Sequence, residues 1–117
     1  GLGRAKVLEW LGYLNSELHD AYAVFFCGAL SEEAKTKAYA EIDRLLTHID
    51  QAIAESDHDY LVDDNFGPAD AYLFVLTNWS NYIHHDLTPY TNIIAIRNKV
   101  AERQSVQMAM RDEGLIP

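Results

Sequence analysis

Apolar residues recur at spacings of three and four along two long segments of the chain, which is the pattern of an amphipathic α-helix. The first segment runs from Arg4 to about Phe26, with a stripe made of Val7, Leu11, Leu14, Leu18, Tyr22 and Phe25. Gly28 interrupts the pattern, and Ser31 followed by two acids is a typical helix start. The second stripe consists of Ala38, Ile42, Leu45, Ile49 and Ile53. Two long helices in tandem predict an antiparallel pair.

A third helix is predicted to begin at Gly67-Pro68-Ala69-Asp70 and to reach about Ile83. Gly67 takes the N-cap position, Pro68 the first helical position, and the Asp70 carboxylate can accept a hydrogen bond from the N-cap N–H. The residues that follow are apolar in nearly every direction: Tyr72, Leu73, Phe74, Val75, Leu76 and Trp79. This helix is therefore expected to be central and packed on all sides. Asp70 is interpreted as a structural residue, because a helix N-terminus can satisfy a buried acid.

The segments around this central helix complete an all-α prediction. Residues 56–67 are rich in Asp, lack a helical period and are predicted to form a loop. Thr88-Pro89 repeats the start signal and predicts a fourth helix carrying Ile93, Ile96, Arg97 and Val100, and a short last helix is expected over Val106–Met110. No segment alternates as a strand would. The expected fold is a bundle of about five helices around a buried one, in a single domain over residues 1–117.

Charge and cysteine usage narrow the function classes. The 117 residues carry a net charge of −9, which argues against nucleic-acid partners and against anionic membranes. The longest apolar run, Ala21–Leu30, falls well short of the roughly 20 residues that span a bilayer. The single cysteine, Cys27, lies in this run and is predicted to be a buried, inert thiol, which fits a reducing, cytoplasmic environment. The chain starts without Met, which suggests a fragment.

The five histidines do not indicate a metal site. Di-metal sites in helical bundles use two Glu-x-x-His pairs and two further Glu, whereas this chain has one such pair, Glu55 and His58, at a predicted helix end. His84 and His85 are adjacent and do not share a helix face. No metal is assigned. The sequence also holds no phosphate-binding glycine loop and no nucleophile motif, so no catalytic residue is assigned in this chain.

His19 and Trp79 are the two residues for which a binding role competes with a structural one. On a continuous α-helix His19 shares a face with small or polar residues, namely Gly12, Asn15, Ser16 and Ala23. This arrangement predicts a notch that could receive a polar ligand or another backbone, and the alternative is an exposed histidine. Trp79 is either a core residue or the wall of an apolar pocket.

Four parts of the chain carry a resemblance to a known family. In chain order they are Glu9-Trp10-Leu11-Gly12-Tyr13 with Glu17-Leu18-His19, then Tyr60-Leu61-Val62, then Phe66-Gly67-Pro68-Ala69-Asp70-Ala71-Tyr72-Leu73, and finally Glu113-Gly114-Leu115. Their order and intervals resemble the C-terminal helical domain of the soluble glutathione transferases, especially the bacterial beta class. The resemblance covers nearly the whole chain.

The resemblance implies a parent enzyme that conjugates the glutathione thiolate to electrophilic hydrophobic molecules in the cytoplasm. In that family a thioredoxin-like domain, absent from this chain, precedes the helical domain and activates the thiol, so this chain alone is expected to be inactive. By resemblance, Glu17 and His19 bind glutathione, and Trp79 and Tyr22 border the electrophile pocket. Glutathione would be a co-substrate rather than a cofactor, and a homodimer is implied. Glu17 would face the glutamyl end of glutathione in its own or the neighbouring subunit.

The chain also departs from the family pattern. Relatives usually have Asn at the position of Gly12 and a basic residue at the position of Asp20, so two contacts to an anionic tripeptide are weakened. Gly67 replaces the usual Ser or Thr at the helix start, which leaves only the Asp70 half of the capping box. The departures at Gly12 and Asp20 favour an alternative from another class, a non-catalytic transferase-like module that binds other proteins.

Overall fold

The structure is a computed structural model that describes residues 2–103, except for the side chain of Leu2. The predicted helix over Val106–Met110 and the motif Glu113-Gly114-Leu115 lie outside these residues. All regular structure within 2–103 is helical, which confirms the all-α prediction. In the same residues no helix is both long enough and apolar enough to cross a membrane.

The first predicted helix is present, but it changes its winding part-way. Helix α1 spans Leu2–Tyr13, a π-helical turn follows over Leu14–His19, helix α2 spans Asp20–Ala23, and a 3₁₀ turn closes the stretch at Val24–Phe26. The backbone therefore stays helical from α1 to the 3₁₀ turn. The stripe faces the core as predicted at its centre, where Leu14, Leu18 and Tyr22 are fully buried.

Helix α3 spans Glu32–Glu55 and begins as the sequence predicts. The Ser31 hydroxyl accepts a hydrogen bond from the backbone N–H of Ala34 at 3.1 Å, which satisfies one free donor of the first turn. Two ring contacts give the direction of α3 relative to the first stretch: Phe25 meets Tyr39 at 4.8 Å, and Tyr13 meets His48 at 5.5 Å. The end of the first stretch thus contacts the beginning of α3, and an earlier part of the first stretch contacts a later part of α3, so the pair is antiparallel.

Helix α4 spans Pro68–Tyr82 and contacts α1, the π-helical turn, α2 and the helix over Thr91–Ala101, which confirms its central position. Its inward side is buried at Leu73, Phe74, Leu76, Thr77 and Ser80. The prediction that α4 is packed on all sides is wrong along one side, because Val75 is 50% exposed and Tyr82 is 61% exposed. An apolar strip of the central helix thus lies at the surface of this chain.

Helix α5 spans Thr91–Ala101, so the predicted start at Thr88-Pro89 is wrong. The Thr88 side chain and N–H bind the Asp86 carboxylate instead, which makes a local turn. The first turn of α5 is capped from another helix: the Asp50 carboxylate of α3 accepts hydrogen bonds from the N–H groups of Asn92 at 2.9 Å and Ile93 at 3.0 Å. A cap from a residue more than forty positions away leaves no local signal.

Candidate functional site

The π-helical turn brings His19 against the surface strip of α4. The rings of His19 and Trp79 lie 5.3 Å apart, and the His19 side chain is 40% exposed. Phe26 approaches the same indole edge-on at 5.7 Å, and half of its surface is exposed. The three side chains form a partly exposed aromatic face, here called the His19–Trp79 face, at the boundary between the first helical stretch and α4.

Tyr22 lies behind this face rather than on it. Its ring meets Trp79 edge-on at 6.1 Å, and its side chain is fully buried. Its hydroxyl and the Ser80 hydroxyl are 2.6 Å apart, and burial raises the pKa of Tyr22 to about 12. In this chain, therefore, Tyr22 supports Trp79 from within the core, and Trp79 presents the surface.

The hydrogen-bond chain that begins at Tyr22 continues across the core. Ser80 Oγ lies 3.1 Å from His85 Nδ1, and His85 Nε2 lies 2.7 Å from the Asp43 carboxylate of α3. The Tyr90 hydroxyl donates to the same carboxylate. No local sequence pattern indicates this cluster, because its members lie on four separate segments. The cluster is buried at Ser80 and His85 and reaches solvent at Asp43, and it ties the helices together.

Glu17 and His19 are not brought together. Residues two positions apart on a helix point to different sides, and Glu17 is exposed on the side of α3. Hydrogen bonding to Glu41 is the main cause of the raised pKa of Arg44, and the charge of Glu17 adds a smaller effect in the same direction. Glu17 therefore lies within electrostatic range of α3, whereas His19 faces α4.

The notch predicted around His19 changes because of the π-helical turn. That prediction assumed a continuous α-helix from Gly12 to His19, but the wider turn adds about one residue, or about 100° of rotation. Gly12 therefore no longer shares a face with His19, and a Cβ placed on it would meet nothing within 4 Å. Asn15 remains beside His19 and accepts a hydrogen bond from the Tyr72 hydroxyl of α4 at 2.9 Å.

Two further residues change the chemistry expected near His19. The Asp20 carboxylate, which is exposed, lies 3.4 Å from His19 Nδ1. It places a negative charge beside the residue expected to meet an anionic tripeptide. Cys27 is exposed, so the prediction of a buried thiol is wrong; its Sγ lies 3.2 Å from the carbonyl of Ala23, where the 3₁₀ turn ends the helix.

The start of α4 has the geometry predicted for it. The Asp70 carboxylate accepts a hydrogen bond from the N-cap N–H of Gly67 at 2.9 Å, and Pro68 occupies the first helical position. The second oxygen of the Asp70 carboxylate accepts a hydrogen bond from the N–H of Leu61 at 2.8 Å, a contact that the sequence did not indicate. Asp70 is buried and anchors the preceding loop to the helix, which is a structural role.

Within residues 2–103, no group of three or more His, Cys, Asp or Glu side chains is arranged to hold a metal ion. Two surface concavities are formed elsewhere, one by Tyr13, Arg44 and His48 and one by Val62, Phe66 and their neighbours. Neither includes His19 or Trp79.

The sequence of residues 10–104 matches the family described as glutathione S-transferase, C-terminal domain. The chain belongs to this family. It is 32% identical over 114 residues to glutathione S-transferase GstA of Escherichia coli O157:H7, covering 97% of this chain and 56% of that protein. It is 27% identical over 119 residues to glutathione S-transferase GST-4.5 of Xanthomonas campestris, covering 96% of this chain and 57% of the relative.

Solved structures of the family share the fold. The bacterial beta-class glutathione S-transferase of Sphingomonas chungbukensis has a TM-score of 0.89 at 31% identity, covering 99% of this chain and 57% of its own. A sphingomonad glutathione S-transferase complexed with glutathione also has a TM-score of 0.89, at 34% identity, with 99% of this chain and 57% of its own covered. These matches confirm the resemblance inferred from the motifs. The chain spans about half the length of the relatives it matches.

Proposed function

We propose that this chain is the C-terminal domain of a glutathione transferase whose parent joins the glutathione thiolate to electrophilic hydrophobic small molecules. The observation that carries the proposal is the His19–Trp79 face, where an imidazole and an indole lie 5.3 Å apart and partly exposed. Aromatic surface suits an apolar electrophile, and an imidazole can hydrogen-bond to a thiol group. Both properties suit a place where a soluble thiolate meets an apolar substrate.

The roles divide between this domain and the half of the parent that this chain does not contain. A preceding thioredoxin-like domain holds glutathione and lowers the pKa of its thiol, since the thiolate is the nucleophile. His19 contacts glutathione near the thiol, and Trp79 borders the electrophile pocket with Tyr22 behind it. The chain alone is inactive in this proposal, and no cofactor takes part.

The surface strip of α4 is the place where the thioredoxin-like domain docks in this proposal. Val75 is 50% exposed, Tyr82 is 61% exposed, and Phe26 beside Trp79 is 56% exposed. A central helix with exposed apolar residues is unfavourable in water, and covering that strip would bury them. The electrophile pocket would then form between the two domains, next to the His19–Trp79 face.

Glu17 makes a second contact with glutathione in this proposal. Because it faces α3 and points away from His19, one glutathione molecule is not expected to reach both residues of the same chain. Glu17 therefore contacts the glutathione bound to the other subunit of a homodimer. In this proposal the parent acts in the cytoplasm, the compartment that the family resemblance implies.

A non-catalytic protein-binding module is the second candidate, and the position of Asp20 is what favours it. Its carboxylate lies 3.4 Å from His19 Nδ1, where it would repel an anionic tripeptide. Gly12 also leaves open surface where relatives usually carry an amide side chain.

Titrating the full-length protein with glutathione separates the two candidates. A transferase should bind glutathione saturably below about 1 mM, whereas a docking module should show no saturable binding in that range. His19→Ala should weaken binding and lower activity with standard electrophiles, and His58→Ala, in the exposed loop, is the matched control. A full-length protein that conjugates no standard electrophile would contradict the proposal, and full activity in His19→Ala would remove His19 from the site.

A further inference from the structure

We propose that Asn15 and Tyr72 are positioning residues for the glutathione site, because their hydrogen bond holds the π-helical turn that points His19 at Trp79. This inference rests on the proposed function. It adds two residues for which neither the motifs nor the family match assigns a role. It also gives the winding change at Leu14–His19 a function, and such single π-helical turns often occur at functional sites.

The π-helical turn determines where His19 points. An α-helix has 3.6 residues per turn, and the wider turn takes up about one residue more, so the residues beyond it are rotated by about 100° relative to a continuous α-helix. In a regular helix from Leu2 to Phe26, His19 would therefore face away from Trp79 by about that angle. The 5.3 Å contact between the two rings depends on keeping the turn wide.

A π-helical turn is less favourable than an α-helical one and needs support from its surroundings. Leu14 and Leu18 are fully buried and support it from the core side. On the side of His19 the support is polar: the Tyr72 hydroxyl donates to Asn15 Oδ1 at 2.9 Å, across 57 positions of sequence. Asn15 lies inside the turn, four residues before His19, so this bond fixes the turn on the same side as the histidine.

The geometry of α4 makes the two contacts act together. Tyr72 and Trp79 are seven residues apart, which puts them on the same face of α4 and about 10 Å apart along its axis. Asn15 and His19 oppose them in the same order. The π-helical turn is thus attached to α4 at both of its ends on this face, by a hydrogen bond at Asn15 and by ring packing at His19.

The decisive variant is Tyr72→Phe in the full-length protein, because it removes one hydroxyl and keeps the ring. Tyr60→Phe is the matched control, since the Tyr60 ring packs on Phe66 in the loop before α4, and the Tyr60 hydroxyl makes no hydrogen bond within residues 2–103. We expect Tyr72→Phe to raise KM for glutathione by about 2- to 10-fold with kcat nearly unchanged, which is the range for one net hydrogen bond. Asn15→Leu should do the same, and the double variant should be no worse than either single one.

A second measurement reads the position of His19 without glutathione. Fluorotryptophan labelling of the full-length protein gives a ¹⁹F resonance for Trp79, which is identified as the one missing from a Trp79→Phe variant. In Tyr72→Phe the Trp79 resonance should move toward its position in His19→Ala, and in Tyr60→Phe it should stay at the wild-type position.

The two readouts distinguish failure of this inference from failure of the proposed function. If the wild-type protein binds no glutathione, the proposed function fails, and the Trp79 resonance alone decides whether the Asn15–Tyr72 bond positions His19. A Trp79 resonance that does not move in Tyr72→Phe overturns the inference. An unchanged KM in Tyr72→Phe, in a protein that does bind glutathione, overturns it as well.

Discussion

Replacing Asp70 tests the structural core of this domain most directly. Its carboxylate is buried, with 1% of the residue exposed, and accepts one hydrogen bond at each oxygen, from Gly67 at 2.9 Å and from Leu61 at 2.8 Å. One bond caps α4, and the other attaches the loop after α3 to the same point. We expect both attachments to be lost in Asp70→Ala.

The magnitude follows from the groups left behind. Asp70→Ala leaves two backbone N–H groups without their acceptor, at about 1–3 kcal/mol each, and part of that loss is offset because a carboxylate no longer has to be buried. We expect a decrease of about 2–5 kcal/mol in the free energy of unfolding, a large share of the 5–15 kcal/mol typical of a domain. Asp70→Asn keeps one oxygen acceptor and should lose about 1–3 kcal/mol.

The pH dependence of this loss has a definite sign. Burial raises the pKa of Asp70 above its ordinary value of 3.8, against the opposing effect of the N–H groups of Leu61 and Gly67. The native state therefore holds the proton more tightly than the unfolded state does. The contribution of Asp70 to the free energy of unfolding is fully present below pH 3.8, and it declines as the pH rises through the native pKa of Asp70. The stability difference between wild type and Asp70→Asn should be smaller near pH 7 than near pH 4.

Urea unfolding followed by far-ultraviolet circular dichroism measures both effects. Asp57→Asn is the matched control, because Asp57 is an exposed acid of the same loop and should change stability by less than about 0.5 kcal/mol. A loss in Asp70→Ala no larger than that in the control would refute the two-bond account. A difference between wild type and Asp70→Asn that grows from pH 4 to pH 7 would show that the carboxylate is stabilised in its charged form.

Two further predictions concern contacts between helices. Asp50→Ala should lower the free energy of unfolding by about 1–2 kcal/mol, because it removes the acceptor that caps α5, and urea unfolding should show this loss while Gln51→Ala, exposed on α3, changes little. Tyr22→Phe should cost about 0.5–1.5 kcal/mol by the same measurement, since it removes the bond to Ser80 but leaves the core filled. An increase in stability in Tyr22→Phe would show that its buried hydroxyl is not satisfied by Ser80.

Sequence periodicity predicted the parts of the fold that depend on local pattern. The stripes of the first stretch and of α3, the Ser31 cap and the Asp70 capping bond are all encoded within a few residues, and the structure confirms them. The prediction for the start of α5 was wrong because its cap, Asp50, comes from another helix, and no local sequence pattern indicates such a partner. The prediction that Cys27 is buried was wrong for a related reason. An apolar run does not indicate which of its residues lies at the end of the helix and faces solvent.

The candidate site was harder to predict than the fold. Composition and spacing drew attention to His19 and Trp79 separately, and the structure places their rings in contact. The notch around Gly12 assumed an uninterrupted α-helix, and a single π-helical turn changed which residues share a face with His19. A prediction from α-helical periodicity is wrong by one residue beyond such a turn. This error matters little for the predicted buried stripe, but it decides where a single side chain points.

The core residues inside the π-helical turn tolerate the winding change. Leu14 and Leu18 are four residues apart and remain buried whether the turn between them is α- or π-helical, because both lie on the broad inner face. The outer face has no such tolerance, since His19 and Asn15 each meet one specific partner on α4. Substitutions that restore a regular α-helix here should therefore disrupt the His19–Trp79 face, and they should also turn Tyr22, which lies beyond the turn, away from Ser80.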